Sequence, residues 1–222
     1  MTELVLGIHL VDGVNAHPYL IIGEELVLID AGMSKDSSRI HAYIEQTLKR
    51  RPNDLKTIII THAHFDHTGG LARLVGATGS KVAVHAADAP FVSQEKSMGY
   101  PKGAMGLMFR LVRPFIKPTP VKADILLNDG DTIAQMKVIH IPGHTPGSIA
   151  LLDEKRHVLF PGDTLQLRDG RVGGPPPKFS WDPEMARRSI EKQKLLDFEA
   201  MLAGHGEPIS TGASAKVREG KY

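Results

Sequence analysis

The sequence predicts an α/β protein in which two β-sheets pack face to face with helices on the outside. Strand-like apolar runs gather in both halves of the chain, and segments with helical spacing accompany each group. Several of those runs end in short turns that carry histidine or aspartate, which is where chemistry is expected.

In chain order, residues 4–11, 19–23 and 26–30 read as strands separated by Gly and Asp-Gly turns. Residues 36–50 then carry apolar side chains at Ile40, Tyr43, Ile44 and Leu48, a helical spacing that Pro52 ends. Residues 56–60 form a buried strand. A short helix through Leu71, Leu74 and Val75 follows, then a strand at 81–85. The stretch 88–117 reads as helical and irregular. Further strands are expected at 125–127, 137–141, 149–153 and 158–160, then a helix over 183–198 and a short strand near 201–202. Gly173-Gly174-Pro175-Pro176-Pro177 has to be a loop, because consecutive prolines donate to neither a ladder nor a helix. The tail 211–222 is small and polar at its start and charged towards its end, and is expected to be poor in regular structure and partly mobile.

At 222 residues and 24.2 kDa the chain is long enough for one well-filled domain over residues 1–222, and no composition shift asks for two. Hydrophobic residues at 41% and charged residues at 23% are ordinary for a soluble globular protein. A net charge of +2 gives no reason to invoke nucleic acid or an anionic membrane. The absence of cysteine excludes a disulfide framework and a thiolate metal site, and fits a reducing cytoplasm. Met1-Thr2-Glu3-Leu4-Val5 places an acid where a signal peptide carries basic residues, and no uninterrupted apolar stretch reaches the length of a membrane span. A soluble, cytoplasmic protein is therefore expected.

The densest chemistry lies in Thr61-His62-Ala63-His64-Phe65-Asp66-His67-Thr68-Gly69-Gly70, directly after the apolar run Thr57-Ile58-Ile59-Ile60. Imidazole and carboxylate together are the ligand set of zinc and other borderline divalent metals. At a strand end His62 and His64 share a direction, because alternate positions do. Asp66 and His67 follow where the chain turns and can address a second, adjacent position. One short loop can thus serve two metal ions. His144, in Pro142-Gly143-His144-Thr145-Pro146-Gly147, Asp163, in Gly162-Asp163-Thr164, and His205, in Gly204-His205-Gly206, each follow an apolar strand. Neighbouring glycines let the backbone turn sharply there and leave room for metal and substrate.

His62-Ala63-His64-Phe65-Asp66-His67, then His144, Asp163 and His205, resembles the metallo-β-lactamase fold superfamily. The resemblance runs from Val27-Leu28-Ile29-Asp30-Ala31-Gly32 to Gly204-His205-Gly206, in the family's order. It implies a four-layer αββα sandwich of two mixed β-sheets with helices on the outer faces. It implies one metal held by His62, His64 and His144, a second held by Asp66, His67 and His205, and Asp163 bridging the two. Asp30 would order the ligand loop without binding metal. Asp163 stands where some true β-lactamases of the family carry a thiol ligand, which argues against antibiotic hydrolysis as the main activity.

A dinuclear site of this kind lowers the pKa of a shared water and supplies hydroxide near neutral pH, while one metal polarises the substrate oxygen. Asp66 would orient that nucleophile and carry its proton. The resemblance thus implies a metal-dependent hydrolase cleaving a small-molecule ester-type bond: a lactone, carboxylic ester, thioester or phosphoester. Two divalent ions are implied, zinc first, with iron, manganese, cobalt or nickel accepted by the same ligands. The site is lactonase-like and glyoxalase II-like, although a glyoxalase II role would call for a helical glutathione-binding domain after His205. The competing class is an oxidoreductase of the mononuclear iron persulfide dioxygenase type, holding its iron through His62, His144 and Asp163.

The remaining candidates weigh function against packing. His85, at a strand end, is a candidate for support behind a ligand. His9, His17, His41, His140 and His157 fit no ligand pattern and read as structural or surface residues. Met105 and Phe109, in the segment 105–116, suit an adaptable apolar substrate pocket, a homodimer contact or plain core packing. Phe179 and Trp181, beyond the proline loop, are candidate pocket walls.

Overall fold

The structure, a computed structural model, describes residues 2–97, 99, 108, 111, 117–220 and 222. The first sheet has seven strands in chain order: β1 (Thr2–Val5), β2 (Ile8–Leu10), β3 (Tyr19–Ile22), β4 (Leu26–Ile29), β5 (Leu55–Ile60), β6 (Lys81–His85) and β7 (Ile125–Leu127). Strands β1 to β4 pair antiparallel, and β4 to β7 parallel. The second sheet runs β14 (Ala200–Met201), β11 (Val158–Phe160), β10 (Ile149–Asp153), β9 (Met136–His140) and β8 (Thr132–Ile133). It is mixed too, since β14 joins β11 in parallel and the other pairs are antiparallel.

Side-chain alternation explains why the two sheets stack. Along β4 and β5, Val27, Ile29 and Ile59 enter a core shared with Val138, Leu151, Val158 and Phe160 of the second sheet. Leu26, Leu28, Ile58 and Ile60 point the other way, onto Ile40 and Ile44 of the 34–47 helical segment and onto Leu71 and Leu74 of a helix at Leu71–Thr78. Ala150, Leu152 and Leu159 pack outward against Ile190 of α5 (Pro183–Lys194) and Val217 of α6 (Ala213–Glu219). Both faces of each sheet are covered, so the central strands read as continuous apolar runs and not as alternating ones. The result is the expected αββα sandwich.

Several local expectations change. Residues 4–11 form two strands, because Gly7 takes φ +75 and turns the chain between them. The 36–50 helix is composite: a 3-10 turn at Ser34–Asp36, an α-helix at Ser37–Ala42 (α1) and a π-helix at Tyr43–Thr47. The 183–198 helix stops at Lys194, and Phe198 beyond it is buried in the outer core. The tail does not lack regular structure: α6 seats Ala213 and Val217 fully in that core. A hairpin, β12 (Gln166–Arg168) and β13 (Arg171–Gly173), also forms between Asp163 and the proline loop. Of the 88–117 stretch, Ala89–Val92 is a short helix (α4), whereas Met105 and Phe109 lie outside the described residues.

This stacking places the candidate ligands. β4, β5 and β6 run in parallel, so Asp30, the His62–His67 loop and the turn after His85 emerge at one edge. β9, β11 and β14 point alike within the second sheet and release His144, Asp163 and His205 at their ends. Between the sheets Phe160 meets Tyr19 edge to face, at 5.5 Å and 62°. Phe160→Ala should cost about 3–5 kcal/mol in denaturant unfolding; a loss below about 1 kcal/mol would show that the sheets close over the vacated space.

Candidate metal centre

His62, His64 and His67 come from the loop and short helix after β5, with α2 (Phe65–Thr68) carrying Asp66 and His67. The structure brings these together with His144, Asp163 and His205 in three overlapping donor clusters: His62, His64 and His144; His62, His67 and Asp163; Asp66, His67 and His205. In each, the donor atoms lie within 4.8 Å of one another. The His64 and His144 rings stand edge to face at 4.4 Å, and His62 meets His144 at 4.8 Å. Asp163 joins the groups, with Oδ1 3.4 Å from His67 Nε2 and Oδ2 3.4 Å from His205 Nε2 and 3.6 Å from His144 Nε2.

Hydrogen bonds on the far side of the rings decide which nitrogens face inward. Asp30 Oδ1 accepts from Thr61 N at 2.8 Å, and its Oδ2 accepts from Thr61 Oγ1 and His67 Nδ1, both at 2.8 Å. The Thr61 hydroxyl donates its one hydrogen bond to Asp30, so His62 Nδ1, 3.0 Å away, must donate to the Thr61 hydroxyl oxygen. His62 therefore turns an unprotonated Nε2 towards the cluster, and His67, whose Nδ1 donates to Asp30, turns its Nε2 the same way. His62 Nε2, His67 Nε2, both ring nitrogens of His144 and Asp163 Oδ1 are buried without a hydrogen-bond partner. Proteins rarely bury that many orphaned polar atoms together. Imidazole nitrogens and carboxylate oxygens converging in this way fit a borderline divalent cation.

The electrostatics agree. Burial and the neighbouring imidazoles push His62 well below its ordinary value, burial lowers His64, and burial and then His64 bring His144 down to about 3. These three present neutral lone pairs. Burial alone would lower His67 too, but the Asp30 and Asp163 carboxylates raise it well above normal. The two carboxylates demand positive charge between them, whether a proton or a metal. Burial pushes Asp163 and Asp66 up, but the His67 imidazole holds Asp163 well below the carboxylate range, and the hydrogen bond from His205 brings Asp66 to about 2. Asp66 Oδ2 lies 3.1 Å from His205 Nε2.

The other candidates are placed less centrally. His85 stacks on His140 at 4.0 Å, its Nδ1 accepts from Ala87 N, and among the described residues no hydrogen bond links it to a candidate ligand. Trp181 is exposed, but its backbone N donates to His144 O at 3.0 Å, so the proline loop hangs from a ligand turn. Phe179, on the same loop, is at the margin of exposure, with Lys178 Nζ 5.1 Å from its ring centroid. Four residues support these loops in ways the sequence does not announce: Thr61, His17, Tyr19 and Asp88. Thr61 was visible only as a neighbour of His62. His17 N donates to Gly204 O at 2.7 Å, and the buried Tyr19 hydroxyl donates to Ala203 O at 2.7 Å, so both grip the His205 loop. Asp88 is fully buried against two ligand loops, and its place before Ala89-Pro90 makes it look like a helix cap.

The chain matches the model of the Metallo-beta-lactamase superfamily over residues 11–205. It is 31% identical over 205 residues to the "Probable metallo-hydrolase YflN" of Bacillus subtilis, covering 83% of this chain and 76% of that one. It is 32% identical over 220 residues to the acyl-coenzyme A thioesterase MBLAC2 of Gallus gallus, covering 87% of this chain and 73% of that one. Among solved structures, the metallo-beta-lactamase GOB-18 of Elizabethkingia meningoseptica is similar at a TM-score of 0.69 and 27% identity, over 92% of this chain and 76% of the other. The chain belongs to the metallo-β-lactamase superfamily and is a metallo-hydrolase of that fold. Among its described residues no helix is long and apolar enough to cross a membrane.

Gly204 shows how tightly the centre is built. A Cβ there would collide with Asp163 Oδ1 and lie 2.7 Å from His67 Cε1. Gly204→Ala should therefore lower metal content and thermal stability together, as read by elemental analysis and a melting curve. Unchanged metal content would mean that the loop relaxes away from Asp163 without disturbing the donors.

Proposed function

We propose that this member of the superfamily holds two divalent ions, zinc first, and hydrolyses a small-molecule ester-type bond. His62, His64 and His144 would hold one ion, Asp66, His67 and His205 the other, and Asp163 would bridge them. The observation that carries this reading is the Asp163 carboxylate, lying within 3.6 Å of imidazole nitrogens from both donor groups. Bound divalent ions supply Lewis acidity and lower the pKa of water, so no serine or cysteine nucleophile is required.

The protein's own groups do the rest. The ordered rings of His62 and His67 keep their donor atoms aimed inward through Thr61 and Asp30. Asp66 is held ionised, partly open to solvent and beside His205, which supports a role in orienting the attacking water and carrying its proton. The water oxygen bonds to the acyl or phosphoryl centre, the bond to the leaving oxygen or sulfur breaks, and the proton ends on the leaving group. Trp181 and Phe179 stand at the edge of the same ligand turn and would form one wall for the substrate.

Within the ester-type class, the resemblance to an acyl-coenzyme A thioesterase supports a thioester, while the ligand set itself suits every member of the class alike. The resemblance to a metallo-beta-lactamase makes a β-lactam the necessary comparison substrate. Elemental analysis paired with a lactone, ester, thioester, phosphoester and β-lactam panel, before and after chelation, tests the reading. About two ions per chain and chelator-sensitive turnover of an ester-type substrate are expected. One iron per chain with oxygen uptake on a persulfide and no hydrolysis would overturn it.

Two variants test the assignment of ligands. Asp163→Ala should lower turnover by about 100-fold or more, beyond what loss of an outer hydrogen-bond partner costs, and weaken both metal positions. Full activity there would sink the bridging role. His205→Ala should leave about one ion per chain, and an unchanged ratio would count against the partition.

A further inference from the structure

Asp88 belongs to none of the donor clusters, yet its carboxylate touches the backbone of two ligand loops. It leaves the turn between β6 and α4 at 0% exposure. Its Oδ2 accepts from Ala63 N at 2.8 Å and from Thr145 Oγ1 at 2.6 Å, and its Oδ1 accepts from Gly147 N at 2.6 Å. Ala63 sits between His62 and His64, while Thr145 and Gly147 follow His144. One side chain thus fastens a loop of the first sheet to a loop of the second, and those loops carry three imidazoles of one donor cluster.

The surroundings are built for a carboxylate. Thr145 commits its hydroxyl proton to Asp88, so the Ser148 hydroxyl, 2.8 Å away, donates to Thr145 Oγ1 and accepts from Thr145 N at 3.0 Å. Gly147 lets the backbone close in, since a Cβ there would lie 2.5 Å from Asp88 N and 2.7 Å from Asp88 Cβ. All three partners are donors. An Asn at this position would turn its amide NH2 against a backbone N–H or the Thr145 hydroxyl. A Glu would carry its oxygens too far by about one C–C bond, roughly 1.5 Å.

We propose that Asp88 is a positioning residue for the metal position of His62, His64 and His144, setting the separation of the two loops that deliver those rings. The proposal rests on the two-position assignment made for the hydrolase. Asp88 touches neither metal nor substrate, and it acts through Ala63, Thr145 and Gly147. Loss of the clamp releases the His144 turn from the His62-Ala63-His64 strand end and leaves Asp66, His67 and His205 in place, because Asp30 holds His67, Tyr19 and His17 hold the backbone before His205, and His205 holds Asp66.

The test is zinc affinity, by competition with a chromophoric chelator, for the wild type, Asp88→Asn and the Asp88→Asn/His205→Ala double variant, with unfolding of the metal-free proteins in parallel. Asp88→Asn should keep one ion at wild-type affinity and bind the other at least tenfold more weakly. In the His205→Ala background, where only the first position remains, the same substitution should remove the last tightly held ion. A merely structural role would lower the unfolding midpoint and leave both affinities of the folded protein alone. That result overturns the proposal, as does equal weakening of both positions. Should Asp88→Asn not fold, Thr145→Val removes one of the three donors and should weaken the same single position, and unchanged affinity there overturns the idea too. A wild type that takes up no zinc would overturn the hydrolase reading as well. A wild type with two ions and an indifferent Asp88→Asn would overturn only the clamp.

Discussion

Asp163 leaves the end of β11 in the second sheet and meets His67, from the first sheet, at 3.4 Å. A carboxylate so far from solvent is costly unless surrounding charge and hydrogen bonds compensate it. Here the compensation comes from imidazoles on three other loops, and so from both sheets. The sandwich can satisfy Asp163 only if the carboxyl ends of β5, β9, β11 and β14 arrive together. Behind them the inter-sheet core of Ile59, Val138, Leu151 and Phe160 fixes how the sheets lie on each other. Burial of apolar side chains sets the coarse alignment, and the polar cluster makes that alignment consequential.

The candidate ligands are tied down by groups that do not belong to them. Asp30 holds Thr61 and His67, Asp88 holds Ala63, Thr145 and Gly147, and Tyr19 with His17 holds the stretch before His205. Most of these bonds end on backbone atoms, so they fix loop paths, and ring orientation follows from the path. Asp30 also sits at φ +59, a left-handed conformation that costs most residues about 1–2 kcal/mol and aspartate less. Its three hydrogen bonds offset that strain. A centre supported in this way is pre-organised before any cation binds.

How much of this is legible in sequence depends on the range of the interactions involved. The His62–His67 loop can be read because its spacing is local: a strand end dictates that His62 and His64 share a side. The outer cores can be read because β4 and β5 are apolar on both faces. Asp88 cannot, because nothing near it announces partners 25 and 57 residues away. The β8–β9 hairpin is hidden for another reason. Its turn puts Ala134 and Gln135 at φ +48 and +64, where Gly or Asn would have been the signal. The β12–β13 hairpin did carry its signal in Asp169-Gly170, at φ +51 and +72, but its strands are too short to stand out. The tail helix was obscured by small residues, because only Ala213 and Val217 face the core.

On the proposed reading, the proline loop connects this rigid centre to selectivity. Asp182 N donates to Gly143 O at 2.8 Å, and the Asp182 side chain accepts from Met185 N at the start of α5. The same residue therefore ties the His144 turn to the outer helix layer, and Phe179 and Trp181 lie just before it in the chain, with Trp181 N bonded to His144 O. Consecutive prolines restrict the loop before any ligand arrives, so presenting the aromatic side chains costs little further entropy. On the proposed reading, residues 174–181 can change in length or character while the donors, Asp30 and Asp88 stay as they are. The division proposed is physical: the donor loops are fixed by buried polar contacts that tolerate little slack, and substrate choice would be carried by the more exposed side chains of the proline loop.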